Sequence, residues 1–478
     1  MEKIFNQIIY YLLFIIILIL PVFFLPLTQE FYLTNKMYLL SFAALFLLLI
    51  STIKLAFTKK ISWKKGAFDN LLILFLIALA ISIIIVSPNK IQALLNPNFG
   101  FLTFFSLTIF YFYLSRFLSS LHQSQSVSPT FNQSSFISNY LYLSLSLSCL
   151  ILSLLTIVFF FQPLKNINLP QFLQFLKNPS FTPVGTQLDL AIFLGFFTLV
   201  SILQIIKQEQ KNERLKNNFL IFNIFFLIIS LTALSLTLYS LLKPTTISFN
   251  QLQPAVTNLG PFRLSWYAAV EILKNPITAL FGVGVDNFSS IFTRVKDVLY
   301  NQSNLWQIYS FNYSRSAILH LFTETGILGF LVFSLIIFQL IKLSLKEKNF
   351  LVVGYLLLII FLFPPSLITW FLLFLILSDI GLNNQLLIKN NDNNKIDLSN
   401  LFPIYLGIII FSLIFIGSIG YLLGRSYTAE ISFKKALDGI VKNDAVQTYN
   451  NMRQAIILNP YIERYRINFS QLNLILAN

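Results

Sequence analysis

The stretch that decides the fold is IIYYLLFIIILILPVFFLPL, residues 8–27. It carries no charged side chain, and as a helix rising about 1.5 Å per residue it reaches across a ~30 Å hydrocarbon core. Comparable runs recur at roughly 38–57, 69–87, 100–118, 138–161, 187–206, 219–242, 317–341, 349–365, 366–382 and 402–424. In lipid, backbone N–H and C=O groups must be satisfied within the segment, so each run is expected to be a helix. Barrel strands would be shorter and would alternate polar with apolar residues, which these runs do not. The reading is an all-α polytopic membrane protein with about 11 transmembrane helices. The ninth and tenth runs, parted by Pro364–Pro365, are also compatible with one kinked or re-entrant unit. Residues 8–26 could pass for a signal peptide, but the apolar core is too long and no small-residue cleavage site follows, so a retained first helix is expected.

Composition agrees. Of the 478 residues, 56% are hydrophobic and 11% charged, against roughly 25% charged in soluble domains. The single cysteine, Cys149, allows no disulfide within the chain and no cysteine metal cluster. The net charge of +15 is first a matter of topology, because Lys and Arg hold loops in the cytoplasm. One set of loops contains Lys54, Lys59, Lys60, Lys64, Lys65, Arg116, Lys207, Lys211, Arg214, Lys216, Lys342, Lys346, Lys348, Lys389 and Lys395; the short loops of the other set contain Lys36, Lys90, Lys165 and Lys177. This bias predicts a multi-pass protein of the cytoplasmic (inner) membrane, with a cytoplasmic N-terminus and, for an odd number of spans, an extracytoplasmic C-terminus.

That orientation makes the segment from about 243 to 316 a large extracytoplasmic loop, too long for a connector and therefore expected to be functional. It holds six basic residues, Lys243, Arg263, Lys274, Arg294, Lys296 and Arg315, against three acids, Glu271, Asp286 and Asp297. Topology opposes cations on this side, so a bound anion is the natural cause. Beyond 424 the chain changes character. Ala436, Ala455 and Pro460, with AIILNP at 455–460, match the small and helix-ending positions of a 34-residue tetratricopeptide unit. Residues 425–478 are therefore expected to be an extracytoplasmic, tetratricopeptide-like helical tail, short of a second repeat and open to a protein partner. An amphipathic helical hairpin of other origin is the plainer reading.

Two further stretches bear on chemistry. GPFRLSWYAAVEILKNPITALFGVGVDNFSSIF, 260–292, reads as Arg263, an amphipathic helix with Trp266, Ala269, Val270 and Leu273 on one face, Pro276, then Gly282-Val-Gly284 and Phe288. SRSAILHLFTETGILGF, 314–330, carries Leu319, Glu324, Thr325, Gly326 and Gly329 into the next helix. In this order the two elements resemble the O-antigen ligase/polymerase family of bacterial envelope glycosyltransferases, and FTPVGTQLDLA at 181–191 looks like that family's weaker loop-to-helix motif. The resemblance spans roughly residues 10–425. One departure matters: where the family has a His nine residues before the Glu, this chain has Arg315, followed by Ser316; His320 stands four residues before Glu324.

The resemblance implies transfer of a glycan from an undecaprenyl diphosphate carrier to a lipid core sugar, a growing polysaccharide or a protein, without metal or cofactor. Arginine suits such a leaving group, because its planar guanidinium can donate two hydrogen bonds to phosphate oxygens. The expected diphosphate-binding residues are Arg263, Arg315 and Arg294, and the expected catalytic group is His320, Glu324 and Arg315. Trp266, Gly282, Gly284 and Gly326 form the structural motif. The chain has no Asp-x-Asp pair for a metal-bound nucleotide sugar, and no nucleic-acid partner is expected. Each residue also has a structural reading: Trp266 in the core, Gly282 and Gly284 in a turn, Arg294 and Lys296 as surface charges, Arg315 as an interfacial anchor, His320 as a satisfied core histidine, and Glu324 as a helix cap or Arg315 partner. A polytopic transporter and a non-catalytic envelope scaffold are the alternative functions, the first for its many helices, the second because the usual His is missing.

Overall fold

The computed structural model of the protein describes residues 2–63, 65–125, 139–178, 181–209, 217–242, 259–303, 305–346, 350–387, 394–398 and 402–477. Lys64, Lys211, Arg214, Lys216, Lys243, Lys348 and Lys389 from the basic-residue pattern, and residues 243–258 of the large loop, lie outside them. The helices in chain order are α1 (Glu2–Val22), α2 (Leu33–Thr58), α3 (Asp69–Ile85), α4 (Lys90–Leu95), α5 (Phe101–Gln125), α6 (Asn139–Phe160), α7 (Gln187–Glu209) and α8 (Asn217–Leu242). In the large loop come α9 (Phe262–Glu271), α10 (Pro276–Phe281), α11 (Phe288–Val295) and α12 (Val298–Asn301). The chain then continues through α13 (Ala317–Lys346), α14 (Phe350–Leu362), α15 (Leu367–Leu387), α16 (Phe402–Val441), α17 (Ala445–Leu458) and α18 (Glu463–Ala477).

Seven helices are long and apolar enough to cross a membrane: those over Lys3–Val22, Leu33–Thr58, Tyr140–Phe160, Gln187–Ile206, Leu220–Leu242, Ala317–Lys346 and Phe402–Val441. Four shorter apolar helices, Asp69–Ile85, Phe101–Arg116, Phe350–Leu362 and Leu367–Gly381, coincide with the other four sequence runs. Among the described residues the protein is thus a helical, multi-pass membrane protein with short loop helices. The ninth and tenth runs are separate helices. The residue before a proline is driven out of the helical region, and the freed end of α14 is tied to the start of α13, where Ala317 N donates to Phe363 O at 2.8 Å.

Polar side chains tie the spans together, as expected where lipid offers no hydrophobic drive between helices. Tyr113 Oη donates to Ser51 Oγ at 2.5 Å, Tyr405 Oη to Ala56 O at 2.5 Å and Tyr355 Oη to Ile192 O at 2.9 Å. The helix α15 is apolar all round over Leu367–Leu377, and such a helix belongs at the centre of a bundle. It is buried there, with Trp370 ringed by Phe99, Phe104 and Phe333. The apolar part of α16 is the opposite case, with Phe402, Ile404, Phe411 and Ile414 exposed on the bundle's outside.

Contacts sort the loops into two ends. At one end a two-stranded antiparallel ladder, β1 (Lys60–Trp63) with β2 (Asn394–Asp397), joins two of the basic loops. Arg116 pairs with Asp69 there at 2.7 Å. At the other end, Lys36 Nζ donates to Phe23 O at 2.8 Å and Pro183 O at 2.5 Å, fully buried. One of the four cations on the sparse side is therefore a pin between two loops. The large loop and the tail share this end.

The division at 424/425 is not a break in the chain. Gly424 lies inside the 40-residue α16, in open space where nothing forces a turn, so the last span runs straight into the tail. There α16, α17 and α18 enclose a small core of Ala429, Phe433, Ala436, Met452, Ala455 and Tyr465, and Arg464 pairs with Glu430. The tail rests on the loop end of the bundle, through Asn89 Nδ2 to Tyr461 O at 2.6 Å and Tyr427 Oη to Asn35 Oδ1 at 2.9 Å.

Candidate functional site

Two broken helices meet at the site. The helix α10 opens on an Asn275 side chain that accepts from Ile277 N, with Pro276 in its first turn, where a missing N–H costs nothing. It stops at Gly282, whose φ is 78°. The helix α13 is interrupted two turns in, at Gly326, with φ 66° and ψ −163°. Backbone runs against backbone at this place: Val283 N donates to Thr323 O at 3.0 Å and Gly284 N to Glu324 O at 3.1 Å. A Cβ on Gly282 would fall on the Glu324 carbonyl, and one on Gly326 would fall on Gly282 N and the Leu280 carbonyl. Glycine is required at both by left-handed φ and by close approach. Ser82, in the last turn of α3, donates to Phe281 O at 2.8 Å and Glu324 O at 2.9 Å, which fixes the level of both breaks.

The Glu324 carboxylate points into the turn just built. It accepts from Asp286 N, Asn287 N and Phe288 N, all at 3.1 Å. These amides open α11, where the unsatisfied N–H groups of a first turn attract an anion. Glu324 is fully buried. His320 lies one turn before it, also buried at 1% exposure. Its ring sits among Phe99, Phe288 and Tyr313. Ser314 N donates to Nδ1 at 3.4 Å; Nε2 lies 3.3 Å from Glu324 Oε2 but makes no hydrogen bond among the described residues.

Asp286 is a residue that the sequence motifs passed over. It adopts φ 66°, rare outside glycine. Asn96 Nδ2 donates to its Oδ1 at 2.5 Å and Gln92 Nε2 to its Oδ2 at 2.7 Å. Burial, followed by the nearby Glu324 charge, pushes its carboxyl up to about 6. The two amides come from α4 and its C-terminal cap, a helix whose N-cap Asn89 touches the tail. The local signal was an acid two residues after a Gly-x-Gly, in Gly282-Val-Gly284-Val-Asp286; Gln92 and Asn96 are almost two hundred residues away in sequence.

The cations are arranged differently. Arg315 N donates to Ser265 Oγ at 2.9 Å, and its guanidinium lies 5.3 Å from the Phe262 ring centre and 5.9 Å from that of Phe363. Its Nε is buried without a hydrogen-bond partner, and no carboxylate among the described residues pairs with it. Burial lowers its proton affinity, but it remains a cation. Arg263 is already engaged by Asp297, Nη2 to Oδ2 at 2.8 Å. Arg294 is exposed in the last turn of α11. Lys296 donates to Tyr309 O and lies 4.4 Å from the Tyr300 ring centre.

Trp266 corrects the expected burial. It is 58% exposed, as are Val270 and Leu273 at 42% and 47%. The face of α9 that packs inward is Leu264, Ala268 and Ile272, against Phe288, Ile291 and Phe292. Both faces of α9 are apolar, and sequence pattern alone could not choose between them. Of the expected catalytic group, the structure brings His320 and Glu324 together in the interior, with Arg315 held separately between aromatic rings.

The fold and site define a class, a multi-pass helical membrane protein with a polar, partly cationic site between a loop and the end of its spans. No family model matches the chain, and no curated protein matches it in sequence.

Proposed function

We propose that the protein transfers a glycan from an undecaprenyl diphosphate carrier to an acceptor on the outer face of a bacterial inner membrane, as an O-antigen ligase/polymerase-type transferase. In this reading all eleven apolar helices cross, the basic loops face the cytoplasm, and the large loop and the tetratricopeptide-like tail face outward. The observation that carries it is Arg315: a guanidinium without a carboxylate partner among the described residues, set between two rings, at the end of the bundle where topology disfavours cations. A bare, positioned cation suits the charge that grows on a diphosphate leaving group. Arg263 joins it if Asp297 releases it, and Arg294 lies on the same loop.

The acceptor oxygen forms the bond to the anomeric carbon while the bond from that carbon to the diphosphate oxygen breaks, and the diphosphate leaves with the electron pair. The acceptor's proton goes to a base, and we assign this to Asp286, whose raised proton affinity suits neutral pH. His320 and Glu324 act as positioning residues, because neither exposes an atom to an acceptor; Glu324 holds the backbone that carries Asp286. The acceptor class stays a lipid core sugar, a polysaccharide or a protein side chain.

The test is transfer by purified protein from undecaprenyl diphosphate glycan, with each acceptor class supplied. Transfer that is lost in Arg315→Ala and kept in Arg294→Ala supports the assignment. Absence of transfer by wild type, or glycan uptake into vesicles without acceptor, overturns it in favour of a scaffold or a transporter.

A further inference from the structure

From α9 through the 3-10 turn Ile272–Lys274 to α10, the large loop carries a series of apolar side chains that the described residues leave uncovered. Phe262, Trp266, Val270, Leu273, Ile277 and Leu280 recur at steps of four or three residues and are 41% to 58% exposed. The inward face of α9 is occupied by the packing against α11 described above, and α10 lies against the Gly326 break of α13. An exposed stripe of this length is not a solvated surface, so something covers it.

Three observations identify the cover. The end of α10 is at the level of the last turn of α3, because Ser82 reaches Phe281 O. In that same last turn α3 itself exposes Ile84 and Ile85, at 65% and 54%, on one of the four shorter apolar helices. The stripe therefore starts where the apolar outer surface of the spans ends. Second, its composition is that of an interfacial helix: Trp266 and Tyr267 are ring systems with a polar edge, and Arg263 and Lys274 flank the stripe, Lys274 with 70% of its side chain exposed. Third, Phe262 belongs to the stripe and also to the Arg315 stack.

We infer that α9 and α10 lie in the surface of the outer leaflet, with Trp266 and Leu273 at the boundary between headgroups and acyl chains. This holds the loop at a fixed depth and sets Arg315 at the height of lipid phosphates. The inference rests on the membrane-spanning fold and on the orientation proposed above, and not on the transferase chemistry.

The test is fluorescence of the full chain in lipid nanodiscs whose acyl chains are brominated close to the headgroup. Lipid quenching of emission is expected to fall in Trp266→Phe relative to wild type, because the quenched indole has been removed. A nitroxide at Leu273→Cys is expected to be relaxed more by oxygen than by an aqueous nickel chelate; Cys149 is buried and remains unlabelled. Unchanged lipid quenching in Trp266→Phe, with the missing emission accessible to aqueous acrylamide, overturns the inference. So does protection of Trp266 from both quenchers, which would make the cover a protein surface such as a second copy of this chain.

Discussion

The seat around Glu324 and the cationic mouth around Arg315 are nine residues apart in sequence and built on opposite principles. In the seat, all three acceptor contacts of the carboxylate go to backbone, both helix breaks are glycines, and no side chain is open. In the mouth, the cation has aromatic walls and an unpartnered nitrogen. A carboxylate held by three backbone amides specifies a shape; a cation held without a counter-ion among the described residues is open to one. The residues picked from the motif thus divide into those that build the site and those free to meet a ligand.

The largest expected effect lies in the seat. Gly326→Ala places a Cβ on the backbone of Gly282 and Leu280 at a left-handed φ, at a cost of about 3 kcal/mol or more. Loss of the monodisperse peak in size-exclusion chromatography is the expected result; a well-folded Gly326→Ala protein would show that the seat is not rigid. Glu324→Gln comes next. It removes the charge from three hydrogen bonds and costs about 2 kcal/mol, read as a lowered Tm. A variant of unchanged Tm and abolished transfer would move Glu324 from the seat to the reacting groups.

Arg315→Ala tests the other side of the comparison. Transfer is expected to drop about 100-fold with Tm almost unchanged, and Arg315→Lys to recover part of it, since a point charge replaces a planar fork. A large drop in Tm would make Arg315 a building residue too.

The smallest effect is in pH dependence. The Asp286 carboxyl is raised from 3.8 to about 6, so the folded protein binds that proton more tightly than the unfolded chain. This contribution to stability is present at low pH and is lost as pH rises from about 4 to about 6. Transfer should run the other way, rising as Asp286 ionises near 6. Asp286→Asn is expected to flatten the stability profile and to abolish the transfer step near 6. Parallel profiles would separate Asp286 from the chemistry.

Much of the fold was legible in the sequence, because crossing lipid is a local requirement: each run must satisfy its own backbone, so its length and lack of charge suffice. The chain divided as expected at Pro364–Pro365, and the motif residues Gly282, Gly284, Gly326 and Glu324 all converge on one place. The outward turn of Trp266 was not legible, since α9 is apolar on two faces and the sequence does not say which one protein covers. Asp286 was missed for the same kind of reason, because its partners Gln92 and Asn96 carry no motif. The continuous α16 shows the limit of composition: polarity changes near Gly424, yet a lone glycine costs a helix only about 1 kcal/mol and does not end it.

By itself the sequence determined that this is a helical membrane protein, where its apolar helices lie, and which segment gathers the cations, all set by residues acting on their own neighbourhood. Tertiary structure decided that Glu324 faces the amides of α11, that His320 is shut among aromatic rings, and that Arg315 stays without a carboxylate partner among the described residues. These are outcomes of long-range packing, where a charge's role depends on which backbone or ring arrives beside it.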